Sequence, residues 1–430
     1  MKRRTFLTAV AAATVTGATR RVQLARVNGE RLNGWLAELR GFGRNADGGI
    51  DRIAYSEADR AARTWAAGLM RDAGLTVRID AAANLIGRRE GRRAGLSPIM
   101  IGSHIDSVPG GGNYDGQVGS IAAIEVARTI HDQSIELRHP LEVIVFQNEE
   151  NGKAGSRAVR GEEPARYLDQ MTHSGRTIRD GIRFLGGDPD RLAEVRREPG
   201  SIHAYFELHI EQGAILHSRS IDIGVVEGIV GIKRWAVTVD GFANHAGTTP
   251  MDQRQDAILA AARFIDAANR IVTSVAGRQV ATVGMIDAEP GAPNVIAGRA
   301  RLTLEMRDLD LDTVDRIFAR IQTEAERIGQ TTGTRFGFEE IYRTLPARAD
   351  EAMQTMIEST AGELALTTLR LPSGAGHDAQ EIARLAPMGM IFVPSVDGIS
   401  HSPREFTPPA DIVNGANVLL NTVMRVDRSA

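Results

Sequence analysis

The chain has no cysteine among its 430 residues. This absence excludes disulfide bonds and thiolate metal sites, so histidine nitrogens and carboxylate oxygens are the strong metal ligands that remain. An excess of charge of either sign is also lacking, because the formal net charge at pH 7 is only -3. A balance so close to zero gives no reason to expect nucleic acid or an anionic membrane as a partner. With 42% hydrophobic and 24% charged residues, the composition is that of a soluble globular protein long enough for two domains.

The apolar stretch near the N-terminus is too short to span a bilayer. It follows a basic segment and ends in small residues near Ala18, as a cleaved export signal does. The sequence of residues 1–18 is MKRRTFLTAVAAATVTGA. Arg3 and Arg4 followed by Thr-Phe-Leu are similar to a twin-arginine signal, which carries folded proteins. We therefore predict an export signal over residues 1–24 and a periplasmic or otherwise exported protein with no membrane partner after signal removal. A Sec signal, or the basic N-terminus of a cytoplasmic protein, would give a similar pattern.

Short apolar runs with the character of strands recur along the chain. They lie at 97–102, 141–146, 204–210 and 389–394, with the sequences SPIMIG, LEVIVF, AYFELHI and GMIFVP. Such runs are typical of strands in the middle of a parallel sheet, where both faces are buried. The fold class they predict is α/β, with an open, mostly parallel sheet formed by residues 25–221 and 341–430.

Between these parts, at about 222–340, the apolar residues follow a different spacing. Its apolar pattern predicts the order β-α-β-β-α-β, which is that of ferredoxin-like α+β domains. We therefore predict a small α+β domain inserted into the larger one.

Two adjacent carboxylates, Glu149 and Glu150, directly follow the LEVIVF strand. Adjacent side chains on an extended segment point to opposite sides, so one carboxylate can bind a metal while its neighbour faces substrate or water. A solvated turn at the end of a strand would explain the pair equally well if it stood alone.

A second group follows the SPIMIG strand, in the sequence SHIDSVPGGGNYDG. His104 and Asp106 are two residues apart and project to the same side of an extended segment, so that one can bind a metal and the other can hold its ring. The glycines that follow allow a sharp turn, which returns Asp115 toward His104. Asp115 could instead be an N-cap of the next helix. The glycine spacing does not fit a dinucleotide-binding turn.

His209 lies near the end of the AYFELHI strand, and His401 follows GMIFVP. Four strands are thus each followed or ended by His, Asp or Glu. In open α/β sheets the functional crevice lies at the carboxyl ends of the strands, so these distant groups could converge there. The sequence therefore predicts a metal site.

The motifs GSHIDSV, GGGNYDG, NEENG, ELHIEQG, NHAGTTPM, PNVIAG, LEMRD, SGAGHDA and SHSPREF occur in this order. From about residue 25 to the C-terminus, the series resembles that of the dinuclear metallohydrolases that include N-carbamoyl-L-amino-acid hydrolases of the β-ureidopropionase type and allantoate amidohydrolases. Aminoacylases and carboxypeptidases belong to the same superfamily.

The resemblance implies two divalent ions, Zn²⁺, Mn²⁺, Co²⁺ or Ni²⁺, bridged by Asp115. His104 and His209 would complete the ligands of one ion, and Glu150 and His401 those of the other. Glu149 would be the general base that activates water and then the acid that protonates the leaving nitrogen. Asp106 would fix the tautomer of His104.

The inserted domain is similar to the lid and dimerisation domain of this family. The resemblance implies a homodimer in which His245 reaches the partner's active site and stabilises the oxyanion. Arg307 would bind a substrate carboxylate in bidentate fashion, while Gln212 and Asn294 would hydrogen-bond the amide or ureido group. Considered alone, His245 and Asn294 are ordinary polar loop residues and Arg307 is a surface residue of a strand.

The sequence departs from the family pattern directly after the two glutamates. Many members have an Arg-Phe segment before Gly-Ser-Arg, whereas here residues 151–154, NGKA, lead directly to Gly155. The expected function is hydrolysis of a linear C–N bond in an N-carbamoyl-L-amino acid or a related ureido or amide compound that carries a carboxylate. Allantoate or ureidoglycine hydrolysis, dipeptidase activity and N-acyl-amino-acid deacylation are alternatives within the superfamily. An exported solute-binding protein without activity is an alternative of another class.

Overall fold

The structure is a computed structural model, and it describes residues 24–162, 164 and 167–429. The predicted export signal lies outside the described residues except for Leu24. The helices are α1 Gly29–Leu39, α2 Glu57–Asp72, α3 Gln117–Asp132, α4 Ala154–Arg160, α5 Ile178–Phe184, α6 Ile215–Arg219, α7 Ala257–Thr273, α8 Leu311–Thr332, α9 Glu351–Glu363, α10 Ala379–Ile382 and α11 Pro409–Val426. Within the described ranges, no helix is both long and apolar enough to cross a bilayer.

The strands form a large sheet, a small sheet and a short two-stranded ladder. They are β1 Thr76–Ile79, β2 Leu85–Arg89, β3 Ile99–His104, β4 Leu141–Phe146, β5 Ala204–Ile210, β6 Ile223–Ile229, β7 Gly231–Asp240, β8 Asn244–His245, β9 Val280–Glu289, β10 Val295–Ile296, β11 Arg299–Asp308, β12 Arg335–Thr344, β13 Ala347–Arg348, β14 Thr368–Ser373 and β15 Met388–Val393.

The large sheet has the strand order β1-β2-β4-β3-β5-β15-β6-β13, and β14 pairs with β6. Its four central strands β4, β3, β5 and β15 run parallel. The sheet is antiparallel toward its edges, where β1 and β2 form a hairpin and β6 runs against β15. The centre of the sheet is therefore parallel, as predicted, whereas the edge strands make the whole sheet mixed.

The central strands are buried on both faces because helices cover both sides. In β4, for example, Val143 and Val145 belong to one apolar core, which also includes residues of α1, α2, α3, α9 and α11. Ile144 and Phe146 belong to the other core, together with residues of α4, α5 and α10. This two-sided burial explains why the strand has a continuous apolar sequence rather than an alternating one.

The small sheet is antiparallel, in the order β12-β7-β11-β9. Strand β7 alternates buried and partly exposed residues along its length, because only one face of this sheet packs on α7 and α8. The elements follow the predicted order β-α-β-β-α-β. The strands of the small sheet and the two helices between them lie within residues 231–344, and β6 pairs within the large sheet. The inserted domain at about 222–340 stays a prediction.

Candidate metal centre

The structure brings together the five side chains that the sequence predicts as metal ligands. His104 ends β3 and His209 lies one residue before the end of β5, while Glu150 and His401 lie in the loops after β4 and β15. These four strands are adjacent and parallel, so their carboxyl ends meet at one edge of the sheet. Asp115 lies in the loop between β3 and α3. The N-cap of that helix is Gly116, not Asp115.

Asp115 lies between two groups of donor atoms. Its Oδ1 is 3.1 Å from Nε2 of His209 and 3.8 Å from Nε2 of His104. Its Oδ2 is 3.1 Å from Nε2 of His401, which is itself 3.5 Å from Oε2 of Glu150. The two donor groups, His104–Asp115–His209 and Asp115–Glu150–His401, each have ligand atoms within 4.8 Å of one another. One carboxylate is therefore shared by two potential cation sites.

The histidine rings are oriented to offer a lone pair to these sites. Nδ1 of His104 is 3.1 Å from the backbone carbonyl oxygen of Asp106, and Nδ1 of His209 is 2.9 Å from that of Ile210. A ring that donates its Nδ1 proton to a carbonyl oxygen leaves Nε2 unprotonated, as a metal ligand requires. Both Nε2 atoms face Asp115.

The donor set fits divalent metal ions. Imidazole nitrogens and carboxylate oxygens are ligands of Zn²⁺ and its neighbours, and no thiolate is available. Bonds of about 2.0–2.1 Å in a tetrahedral site place the donor atoms about 3.3 Å apart. The spacings of 3.1–3.8 Å around Asp115 are close to that value. The residues present could therefore hold metal ions with little rearrangement.

Glu149 stands beside this cluster, and Asp106 holds it there. Oε2 of Glu149 is 3.9 Å from Nε2 of His104. The Asp106 carboxylate accepts the backbone N–H groups of Glu149 at 3.3 Å and Glu150 at 3.2 Å. Its Oδ1 is 3.6 Å from Nδ1 of His104, whose closer partner is the Asp106 carbonyl oxygen. Asp106 thus supports the predicted base as well as the predicted ligand.

The electrostatics of the cluster also favour bound cations. Burial raises the pKa of Glu149 to about 7, against smaller opposing effects from His104 and Lys153. Burial and the charge of Asp115 raise the pKa of Glu150 well above its ordinary value. For Asp115, burial is outweighed by the adjacent imidazole groups of His209 and His401, which hold its pKa well below the usual range. Crowded, buried carboxylates of this kind need compensating positive charge, which divalent ions would supply.

The residues predicted to bind substrate are not all in one place. Gln212 has a left-handed backbone, with φ of 58°, and its side-chain amide donates to Oδ2 of Asp115. Arg307 lies on the small sheet, pairs with Glu305 and donates to the carbonyl oxygen of Gly374 at 2.6 Å, which links it to the large sheet.

His245 and Asn294 lie outside the metal-ligand cluster. They are neighbours at the β8–β10 ladder, where Ala246 N–H donates to the carbonyl oxygen of Asn294. Among the described residues, the hydrogen bonds to the exposed ring of His245 come from the backbone N–H groups of Gly247 and Thr248. Within one subunit, the structure does not bring His245 to the metal ligands.

Sequence reasoning missed the role of Glu405. Its Oε1 accepts the N–H groups of Tyr114 and Asp115, and its Oε2 accepts the Ser400 hydroxyl and the His401 N–H. Glu405 thus joins the two loops that carry Asp115 and His401. The SHSPREF motif contained the signal, because an acidic residue lies four positions after the ligand.

Sequence reasoning also missed His377, in the SGAGHDA motif. Its buried ring packs edge-on against His209, with centroids 4.4 Å apart, and its Nε2 is 2.8 Å from the Ser373 hydroxyl. Burial holds the pKa of His377 well below its ordinary value, so the ring is neutral. It forms part of the wall beside the metal ligands.

The family model described as peptidase family M20/M25/M40 matches residues 100–425. The chain belongs to this family. An N-carbamoyl-L-amino acid amidohydrolase from Geobacillus stearothermophilus is 38% identical over 93% of this chain and 99% of its own length. The allantoate amidohydrolase of Bacillus subtilis is 32% identical over 91% and 95%, respectively. A solved structure of a hydantoinase/carbamoylase family amidase from Burkholderia multivorans superposes with a TM-score of 0.87 at 36% identity, covering 94% of this chain and 98% of the other.

Proposed function

We propose that this protein is a metal-dependent amidohydrolase that cleaves the linear C–N bond of an N-carbamoyl-L-amino acid. The observation that carries the proposal is the placement of Glu149 next to two donor groups that share Asp115. Relatives named N-carbamoyl-L-amino acid amidohydrolase match nearly the whole chain, which supports the substrate class.

The donor groups would hold two divalent ions. His104, Asp115 and His209 would bind one, and Asp115, Glu150 and His401 the other. When bound, such ions polarise a substrate carbonyl group and lower the pKa of water. Zn²⁺, Mn²⁺, Co²⁺ and Ni²⁺ all accept these ligands.

Glu149 carries the proton transfers. It takes a proton from the attacking water while the water oxygen bonds to the ureido carbon. As the bond between that carbon and the amino-acid nitrogen breaks, Glu149 returns the proton to the nitrogen. The products are the amino acid and carbamate, which decomposes to CO₂ and ammonia. The hydrogen bonds from the Glu149 and Glu150 backbone to Asp106 keep the base in place throughout.

The small sheet would supply the rest of the site. Arg307 already reaches the loop of the large sheet at Gly374. Its guanidinium fork pairs with Glu305 in this structure and would exchange that partner for a substrate carboxylate. Gln212 and Asn294 would hydrogen-bond the ureido group. His245 would stabilise the oxyanion from a second subunit, because it is exposed and lies outside the cluster of its own chain.

A homodimer would bring His245 of one subunit to the metal centre of the other. The small sheet ends in strand β9, whose outer edge is unpaired among the described strands. Val280, Met285 and Ile286 on β9 are about half exposed, at 49–52%. On α7, Ile258 and Leu259 are also exposed. An apolar sheet edge beside an apolar helix surface is suited to an isologous contact between two copies.

We also propose that the protein is exported, on the basis of the twin-arginine pattern at Arg3 and Arg4. The test is the N-terminus of the protein recovered from periplasm and from cytoplasm. Cleavage near Ala18 in periplasmic material is expected, and uncleaved protein confined to the cytoplasm would exclude export.

The test of function is a substrate panel with the purified protein loaded with Mn²⁺ or Zn²⁺. The panel contains N-carbamoyl-L-methionine, allantoate and a dipeptide, and the assay measures ammonia and free amino acid. Release of amino acid and ammonia in equal amounts from the carbamoyl compound is expected. Allantoate is the second candidate, because an allantoate amidohydrolase is among the relatives. Binding of these compounds without turnover under either metal would instead favour a solute-binding protein.

A further inference from the structure

Lys153 is an unusual residue in this chain. Of the 51 basic residues, only Lys2, Lys153 and Lys233 are lysines. Lys153 lies in the shortened segment after Glu150, and its backbone is left-handed, with φ of 58° and ψ of 36°. A residue other than glycine is strained in that backbone conformation, and such residues are frequent at functional sites. Its side chain is only 12% exposed, so this cation is held inside the protein.

Among the described residues, the ammonium group of Lys153 makes polar contacts with two side chains, both of residues of α10. Its Nζ is 2.6 Å from Oε1 of Gln380 and 3.2 Å from Oε1 of Glu381. An ammonium group has three donors, so one remains for a further ligand. Glu381 does not depend on Lys153 alone, because its Oε2 is 2.7 Å from Nε of Arg160.

Lys153 belongs to a group of ion pairs formed by residues that the structure describes. These ion pairs join three cations to two carboxylates: Lys153, Arg157, Arg160, Glu162 and Glu381. Glu381, the ion-pair partner of Lys153 in this group, is thus shared with Arg160.

The loop that precedes α10 leaves open space next to this ammonium group. A Cβ atom built at Gly374 would meet no atom within 4 Å. At Gly376 it would meet only Oε1 of Gln380 at 3.7 Å and Nζ of Lys153 at 3.8 Å. The surface of this loop is thus free for a ligand, with the Lys153 charge at its rim.

Both ends of the same loop connect to the candidate metal centre. At one end, the carbonyl oxygen of Gly374 accepts a hydrogen bond from Arg307 at 2.6 Å. At the other, His377 packs against the metal-ligand residue His209. The loop therefore lies between two cations, Arg307 and Lys153, and beside the metal ligands.

We propose that Lys153 is a specificity-determining residue that selects ureido acids with a second carboxylate in the side chain. The inference rests on the proposed function. Arg307 exchanges its partner Glu305 for the α-carboxylate of the substrate, and Lys153 binds the side-chain carboxylate as a compact point charge. The substrate class is that of N-carbamoyl derivatives of acidic amino acids.

The test compares N-carbamoyl-L-glutamate with N-carbamoyl-L-glutamine, which have nearly the same shape and differ in one charge. The metal-loaded wild-type protein is expected to show a kcat/KM about tenfold higher for the glutamate derivative. Lys153→Met should abolish this preference, measured as the ratio of kcat/KM for the two substrates at one pH, because any effect of the lost charge on Glu149 is common to both substrates. Lys153→Arg should retain the preference because it keeps the charge.

Lys233→Met is the matched control, since Lys233, on strand β7, is also buried but pairs with Asp315 of helix α8. It should leave the substrate ratio unchanged. A wild-type ratio near or below one overturns the inference but leaves the proposed function standing. An equal loss for both substrates in Lys153→Met also overturns the inference, because it indicates a purely structural role. No turnover of any ureido compound overturns the proposed function, and the inference falls with it.

Discussion

Asp106 accepts the backbone N–H group of Glu149 at 3.3 Å through Oδ1. Its other oxygen accepts that of Glu150, and its carbonyl oxygen orients the ring of His104. One buried residue thus sets the relative positions of the proposed general base and of proposed ligands from two neighbouring strands. This arrangement makes Asp106 a positioning residue for the whole centre.

Asp106→Asn should therefore weaken activity and metal binding together. An amide has one acceptor oxygen, so one of the two N–H groups would face an N–H donor. We expect a loss of about 10- to 100-fold in metal affinity or kcat, measured by metal analysis after dialysis and by steady-state kinetics. Asp222→Asn is the control, because Asp222 accepts the backbone N–H of Thr367 at an exposed site. Similar losses in both variants would contradict a special role for Asp106.

Metal content should distinguish a variant of Glu149 from a variant of Asp115. Glu149→Gln is expected to keep nearly normal metal content while kcat falls about 10²- to 10⁴-fold, since only the proton-transfer group is lost. Asp115→Ala should lose both metal and activity, because Asp115 contributes to both donor groups. Metal analysis of the purified variants together with kcat measurements tests the pair. Unchanged turnover in Glu149→Gln would remove this residue from the mechanism.

Hybrid dimers test whether His245 acts on the partner subunit. His245→Ala and Glu149→Gln should each be nearly inactive as homodimers. In a hybrid, the Glu149→Gln chain supplies His245 to the site of the other chain, whose Glu149 is intact. Random mixing by co-expression should restore about a quarter of wild-type specific activity, since half the dimers are hybrids with one working site.

The control for the hybrid experiment uses the edge of β9. Ile286→Arg, in a residue about half exposed there, should give monomers in size-exclusion chromatography with light scattering. Co-expression of the two inactive chains, each also carrying this change, should restore no activity. Recovery without dimers would place His245 outside the proposed role.

The stability of the protein should fall in mild acid because of His203. Its ring stacks on His139 with centroids 4.1 Å apart, and burial together with His139 lowers its pKa below 6.5. At His203, the unfolded chain therefore binds more protons than the folded chain just below pH 6.5, so the contribution of this residue to the free energy of unfolding decreases as pH falls through that range.

His203→Phe keeps an aromatic ring in the stack and removes the proton site. The decrease in urea midpoint between pH 7.5 and 5.5 should be smaller in this variant than in wild type. His173→Phe, at an exposed position, should match the wild-type decrease. An acid sensitivity unchanged by His203→Phe would assign the effect to other groups.

Local sequence determined the secondary structure and the identity of the donor side chains. Continuous apolar runs such as LEVIVF predict buried strands because a strand covered on both faces has no solvent side, and β4 has the predicted bounds. The alternation along residues 231–240 likewise follows from one buried face. The residue types His104, Asp115, Glu150, His209 and His401 limited the chemistry to nitrogen and oxygen ligands.

Only the tertiary structure decided how these groups meet. Strand order, which depends on packing between segments far apart in the chain, brings β4, β3, β5 and β15 side by side and shares Asp115 between two donor groups. Contacts between distant segments, such as Glu405 with Asp115 and Lys153 with Gln380, have no local signature. The energies of these contacts depend on how deeply the groups are buried and on the orientation of donor and acceptor atoms, which the order of residues alone does not specify.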